Sequence, residues 1–209
     1  MQAERIPTGV LAVQGDFALH ARMLGRIGAP WILVKHAEDL AIVSALIIPG
    51  GESTTMLKFF EEEKLGSAIL DFAATGKPIF GTCAGAILLA KEVLNPPQAH
   101  LGLIDISVER NAYGRQIDSA IRHGELVDAN GASNGTGRHM TMVFIRAPII
   151  RRTGEGVRVL ARAEGLPVLV EQGNILAATF HPELTEDETI HRFFVRKSLA
   201  AMARDGSTA

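Results

Sequence analysis

The chain has 209 residues, 47% hydrophobic and 21% charged, and its 21 basic against 23 acidic side chains leave a formal net charge of −2. That is the composition of a globular protein with one substantial core, and the absence of a basic block or stripe argues against nucleic acid as a partner. The single cysteine excludes an internal disulfide and a metal site of several thiolates and fits a reducing cytosol, while no apolar run is long enough for a signal peptide or a membrane span.

In chain order, "GVLAVQG" (Gly9 to Gly15), "WILVKH" (Trp31 to His36), "ALIIPGG" (Ala45 to Gly51) and "PIFGT" (Pro78 to Thr82) are short apolar runs ended by glycine, proline or polar residues. Apolar runs without alternation predict strands covered on both faces. Between and after them "FALHARMLGRIG", "TTMLKFFEEEKLGSAILDFAATG" and "AGAILLAKEV" predict helices, the second with a solvated face and a turn at "FFEEEKLG". Alternating strand and helix implies an α/β fold of three layers: a mostly parallel open sheet with helices on both faces. Strand character then becomes denser in "LIDISVERN", "AIRHGEL", "MVFIRAP", "VRVLARAEG", "PVLVEQGN" and "ILAATFHP". "AEGLPVLVEQGNILAATF" reads as hairpin or meander material, giving antiparallel strands in the C-terminal half. "DETIHRFFVRKSLAAMARDG" predicts a last helix, and the Gly-, Ser- and Asn-rich stretch from Asp128 to His139 predicts a mobile surface loop. No repeat or linker divides the chain, so one domain over residues 1–209 is expected. Trp31, Phe59 and Phe60 read as core, and His123 and His139, lacking ligand spacing, as solvated or structural rather than metal-binding.

Three stretches carry chemistry. "GTCAG" has the form G-x-C-x-G, the thiol counterpart of a nucleophile elbow, in which a sharp strand-to-helix turn lifts the reactive side chain clear of the sheet. At the start of the helix beginning "AGAILL", Cys83 meets the positive end of the helix dipole, which favours the attacking thiolate; the competing reading is a small packed hydrophobe. "TFHPEL" supplies His181, and in an extended segment Glu183, two residues on, projects to the same side to orient the ring; the competing reading is a surface turn. "IIPGGEST" places Gly50 and Gly51 where a backbone N–H can meet a developing oxyanion, with Ser53 or Thr54 to cap the next helix. All three fall at carboxyl ends of predicted strands, where ligand sites gather in open α/β sheets.

Cys83 followed far downstream by His181-x-Glu183 resembles the class I, triad-type glutamine amidotransferases. "GVLAVQGDFALH", "LIIPGGESTTM", "GKPIFGTCAG", "HLGLIDISVERNAYGRQ", "VFIRAP" and "ATFHPELTED" together make the chain similar to the glutaminase subunits of two-protein pyridoxal phosphate synthases, over nearly its whole length. The resemblance implies Cys83 as nucleophile, His181 as general acid and base, and Glu183 as its partner. It implies an L-glutamine pocket of Gly51, Glu52, Ser53, Arg110, Ile145 and Arg146, and an oxyanion hole from Gly50, Gly51 and Ala84. Which arginine grips the substrate carboxylate stays open. No metal and no organic cofactor is implied. The implied partner is a barrel-type pyridoxal phosphate synthase subunit that receives ammonia in a hetero-oligomer, with glutamine hydrolysis weak until docking arranges the oxyanion turn. The stretch from Asp128 to His139 is longer and richer in glycine than the family leads one to expect.

Two other readings remain open at this point: a stand-alone cysteine γ-glutamyl hydrolase or peptidase-like relative, and a non-catalytic regulatory subunit on the same fold. An intact Cys83, His181 and Glu183 set counts against the second.

Overall fold

The computed structural model describes residues 6–110, 120–127 and 139–205. Five parallel strands form the first half of the main sheet: β1 (Thr8–Leu11), β2 (Trp31–Val34), β3 (Ala45–Ile48), β4 (Ile79–Thr82) and, from far down the chain, β12 (Ile175–Ala178), in the order β2-β1-β3-β4-β12. β1, β3, β4 and β12 are buried at every position, as expected of strands covered on both faces. Four antiparallel strands continue the sheet beyond β12: β11 (Leu166–Gln172), β10 (Arg158–Ala163), β7 (Ala120–Leu126) and β8 (His139–Phe144). The meander foreseen in the C-terminal half is β10-β11-β12. Its first turn, Glu164-Gly165, has positive φ at both residues, the twist a two-residue hairpin needs.

Side-chain alternation along the central strands divides the core in two. Ala45 and Ile47 of β3 join Phe80 and Leu176 against α1 (Phe17–Arg26) and α5 (Thr189–Asp205), which contribute Leu24, Ile190 and Phe194. Leu46 and Ile48 face the other way, onto α2 (Ser53–Glu62), α3 (Leu65–Ala74) and α4 (Ala84–Leu89), with Met56, Phe60, Ile69 and Leu88. The result is the three-layer α/β arrangement, with helices on both faces.

Several local expectations are corrected. The stretch from Thr54 to Gly76 is two helices rather than one, broken at the turn expected in "FFEEEKLG", because Lys64 takes a left-handed φ of 54° and folds α3 back so that both helices face one core. "AGAILLAKEV" is helical only to Leu89; Ala90 turns extended and begins β5 (Ala90–Leu94), which pairs with β6 (Ile104–Glu109) and through it with β9 (Ile149–Thr153) in a second, three-stranded sheet. The strand "MVFIRAP" stops at Phe144, since Arg146 has a positive φ of 45°. Trp31 is 40% exposed rather than core, because it opens the edge strand β2. Phe60 is buried and Phe59 half-buried, and His123 and His139 are exposed on β7 and β8. Residues 111–116 of "VERNAYGRQ", and all but His139 of the expected surface loop, lie outside the described residues. Among the described residues, no helix is long and apolar enough to cross a membrane.

Candidate active site

The parallel order β1-β3-β4-β12 sets four strand ends side by side, and every expected catalytic element leaves from one of them. Cys83 follows β4 at φ 47°, ψ −101°, a conformation an L-residue adopts at a cost of about 1–3 kcal/mol. Its amide is held by the carbonyl of Ala178 on β12 at 2.8 Å, and its carbonyl accepts from Ile87 within α4, so strand and helix together enforce the bend. The flanking glycines have a steric reason. A Cβ on Gly81 would lie 2.6 Å from the Gly85 carbonyl carbon, and one on Gly85 would lie 2.1 Å from the Ile48 carbonyl oxygen. No larger residue lets α4 approach β3 so closely.

His181 follows β12, its amide bonded to the carbonyl of Val143 on β8 at 2.8 Å. Its Nδ1 lies 2.7 Å from Glu183 Oε1, with His181 3% and Glu183 1% exposed. The extended spacing expected here is not what makes the contact: Pro182–Leu184 is a turn of 3-10 helix that curls Glu183 back under the ring. Burial opposes charge on the imidazole, but hydrogen bonding and Coulomb attraction to Cys83 and Glu183 outweigh it and raise the His181 pKa to about 10. Burial likewise opposes the Glu183 carboxylate, yet nearby His20 and the His181 hydrogen bond hold its pKa below the usual carboxylate value. The ring is thus a buried cation set between the Cys83 sulfur and a carboxylate.

Gly51, Glu52, Ser53, Arg110, Ile145 and Arg146 line a single cleft with Cys83, Ile87 and Pro148. Cys83 is only 6% exposed, and that cleft is where it is reached. Its Sγ lies 3.9 Å from the Ile145 carbonyl, brought there by the turn that ends β8. Arg110 is mostly buried, its guanidinium 3.6 Å from Glu52 Oε1, and Glu52 also caps α2 by accepting from Thr54. Gly50 packs against Cys83 and His181. Its carbonyl accepts from the Asp16 amide at 3.1 Å, which fixes the orientation of the Gly50-Gly51 peptide. Ala84, the first residue of α4, is buried beside Cys83.

Sequence reasoning missed four residues around this cluster. Gln14 Oε1 accepts from the Glu52 amide at 2.9 Å, and Asp16 Oδ2 lies 3.7 Å from His181 Nδ1. His20 Nε2 is 3.3 Å from Glu183 Oε2 and 3.1 Å from Thr82 Oγ1, and His191 on α5 bonds His20 from behind. "QGDFALH" held a signal: a polar run at the end of a buried strand, then a histidine on the apolar side of a helix. Among the described residues, the one group of atoms spaced as metal ligands is Asp16, His181 and Glu183, and there His181 Nδ1 is engaged with Glu183.

Residues 10–200 match the SNO glutamine amidotransferase family. The chain belongs to that family. Among its relatives, the pyridoxal 5'-phosphate synthase subunit PdxT of Solibacter usitatus is 54% identical over 189 residues, covering 90% of this chain and 97% of that one. The protein of the same name from Thermus thermophilus is 51% identical over 189 residues, 90% of this chain and 95% of its own. A solved structure described as a glutamine amidotransferase superposes with a TM-score of 0.82 at 48% identity, covering 91% of this chain and 98% of that one. The structure of PurLQS from Thermotoga maritima shares the fold at 18% identity with a TM-score of 0.62, covering 95% of this chain and 98% of the matched one.

Proposed function

We propose that this family member, acting as one glutaminase domain, hydrolyses L-glutamine to L-glutamate and ammonia and passes the ammonia to a barrel-type synthase subunit that builds pyridoxal 5'-phosphate. The observation that carries the reading is the strained Cys83 elbow facing a buried, protonated His181 that Glu183 holds at 2.7 Å, with a cleft of guanidinium and carboxylate groups opening onto the sulfur. The relatives named as pyridoxal 5'-phosphate synthase subunits support the pathway and a partner subunit.

In the proposed sequence the Cys83 sulfur, its proton resting on His181, adds to the side-chain amide carbon of glutamine. Backbone N–H groups of Ala84 and the Gly50-Gly51 turn receive the oxyanion. His181 protonates the departing nitrogen, the C–N bond breaks, and ammonia leaves a γ-glutamyl thioester. The now neutral ring takes a proton from water, hydroxide displaces the sulfur as thiolate, and the product leaves as glutamate once its new γ-carboxyl gives its proton to solvent or to the released ammonia. Arg110 and Arg146 suit the α-carboxylate and Glu52 the α-ammonium of the substrate. No step uses a metal or organic cofactor. Ammonia in water at neutral pH is mostly ammonium, which is why delivery to a docked partner serves synthesis. A lone thiol stays reduced in the cytoplasm, where we place the reaction.

The test is glutamate release with and without the synthase subunit, in the wild type and in Cys83→Ala. Turnover lost in C83A, with glutamine binding kept, supports the nucleophile; ammonia release by C83A rejects it. A rate raised by the synthase supports docking that rearranges the Gly50-Gly51 peptide, which must break the Asp16 to Gly50 hydrogen bond to turn over. Equal rates reject that gating.

A further inference from the structure

Behind the Cys83, His181 and Glu183 group, two further histidines are sealed in the core with nothing in the reaction above to explain them. His20 on α1 and His191 on α5 are both 0% exposed, 171 residues apart in sequence, with His20 Nδ1 2.9 Å from His191 Nε2. His20 presents its other nitrogen, Nε2, to Glu183 Oε2 at 3.3 Å and to Thr82 Oγ1 at 3.1 Å. Glu183 Oε1 is engaged by His181, so Oε2 is the free end of the carboxylate. It is fully buried and accepts no hydrogen bond among the described residues: His20 Nε2 stands 3.3 Å away, but its hydrogen bond goes to Thr82 Oγ1.

The partners fix where the protons sit. Glu183 is ionised and can only accept, so the nitrogen facing it must carry hydrogen; a bare Nε2 would set two lone pairs against each other in a dry site. His20 is buried and neutral, so its Nδ1 accepts, and His191 Nε2 must donate. The neutral His191 then has a bare Nδ1, and that atom has no partner. The reverse arrangement would place an N–H there, a buried donor with nothing to bond, as well as the lone-pair clash at Glu183. Both considerations select one direction: His191 donates to His20, His20 Nε2–H donates to Thr82 Oγ1 while facing Glu183 Oε2 at 3.3 Å, and His181 Nδ1–H donates to the other Glu183 oxygen. His181 Nε2 is then the nitrogen left for the thiol and the substrate.

We propose that His20 is a positioning residue for the glutaminase reaction, bracing the second oxygen of Glu183 so that Glu183 holds His181 in the orientation and tautomer that serve Cys83, with His191 setting the tautomer of His20. The proposal rests on the glutaminase reading. It gives a structural reason for the two histidines: an apolar pair would fill the volume between α1, α5 and β4 but leave a buried carboxylate supported on one side only. The aromatic surroundings fit a fixed ring, with Phe80 edge-on to both His20 and His191.

The experiment measures kcat and KM for glutamine in the complex with the synthase subunit, for wild type, His20→Met, His20→Gln and His191→Phe, each checked for folding by thermal melting. Glutamine at position 20 can place an amide N–H near the original Nε2; methionine fills the space without a donor. Loss of the N–H that faces a buried carboxylate oxygen at 3.3 Å predicts a kcat lowered on the order of 10- to 100-fold in H20M with KM within about twofold of wild type. H20Q should recover to within about fivefold of wild type, and H191F should lose about three- to tenfold. Wild-type kcat in H20M overturns the proposal, as does an H20Q as impaired as H20M or a loss expressed in KM. Should H20M fail to fold, H20Q near wild type with a slowed H191F supports the proposal, and H191F at the wild-type rate overturns it. A wild-type complex that releases no glutamate rejects the glutaminase reading itself, and the positioning role with it, whereas an active wild type beside an unimpaired H20M rejects the positioning role alone.

Discussion

Replacing Gly50 with alanine tests the core geometry with a single methyl group. Gly50 does not occupy the left-handed region, so alanine meets no backbone penalty there, and whatever it costs comes from what the methyl touches. A Cβ would lie 2.4 Å from His181 Cε1, 2.9 Å from His181 Nδ1 and 3.4 Å from Cys83 Cβ. An ordinary carbon contact is about 3.5–4.0 Å, so the imidazole must retreat by about 1 Å or more, while the cysteine can stay. Retreat presses on the 2.7 Å hydrogen bond to Glu183, which is buried and has no room to follow. Overpacking of this kind costs about 1–3 kcal/mol of stability, and a displacement of about 1 Å between reacting groups costs on the order of 100-fold in rate. G50A should therefore fold, melt a few degrees lower, and hydrolyse glutamine about 100-fold more slowly. The assay is glutamate release in the synthase complex beside a thermal melt. A folded G50A with kcat within threefold of wild type would refute the placement of His181 against Gly50.

Other perturbations separate strain, packing and charge. Cys83→Gly should be more stable than Cys83→Ala by about 1 kcal/mol in denaturant unfolding, although both are inactive, because only glycine relaxes the positive φ; equal midpoints would show that the elbow is unstrained. Gly85→Ala should lose about 3 kcal/mol or fail to fold, since the added carbon meets the backbone of β3 rather than a movable side chain, and a wild-type denaturation midpoint would contradict that. His181, with its pKa raised to about 10, should keep the Cε1–H resonance of an imidazolium at pH 8; removing the Cys83 contribution in C83A should move its midpoint down, and an unchanged midpoint would rule out the pairing. Burial lowers the His191 pKa to about 3 and lowers that of His20, so below pH 6.5 the unfolded chain binds protons that the folded chain refuses, and stability falls as pH falls. At pH 5 His191 alone should cost about 2 kcal/mol, and H191F should remove that share of the slope.

How much of this was legible beforehand follows the range of the forces involved. The elbow could be read because its constraint is local: Gly81, Cys83 and Gly85 must be small, reactive and small within five residues, so the steric requirement is written as a contiguous pattern. The cleft residues could be read only through the resemblance, since nothing in the spacing of Glu52, Arg110 and Arg146 says that β3, β6 and the end of β8 meet around Cys83. The His181 and Glu183 contact was expected for the wrong backbone. Proline at 182 suggested an extended segment, but a 3-10 turn also accepts proline at its first position and brings residues two apart together through curvature. β5 was hidden for a different reason: "AKEVL" has the propensities of a helix end, and only pairing with β6 makes it a strand.

His20 and His191 mark the limit of local reading, and the reason is electrostatic. A buried neutral histidine has the same pattern signature as any other residue on the apolar side of a helix, and α1 and α5 both carry one there. What distinguishes these two is a carboxylate that arrives from a third segment, on the turn after β12. An ionised group taken out of water must find donors on every free oxygen or lose stability, so once Glu183 is placed, something must answer its second oxygen. Of the groups the sheet brings within reach, His20 can donate to it while remaining neutral, and a neutral donor leaves the single positive charge on His181, where the chemistry needs it. A lysine or arginine at position 20 would compete for Glu183 and weaken its hold on the His181 proton; a neutral imidazole supports the carboxylate without drawing its charge away.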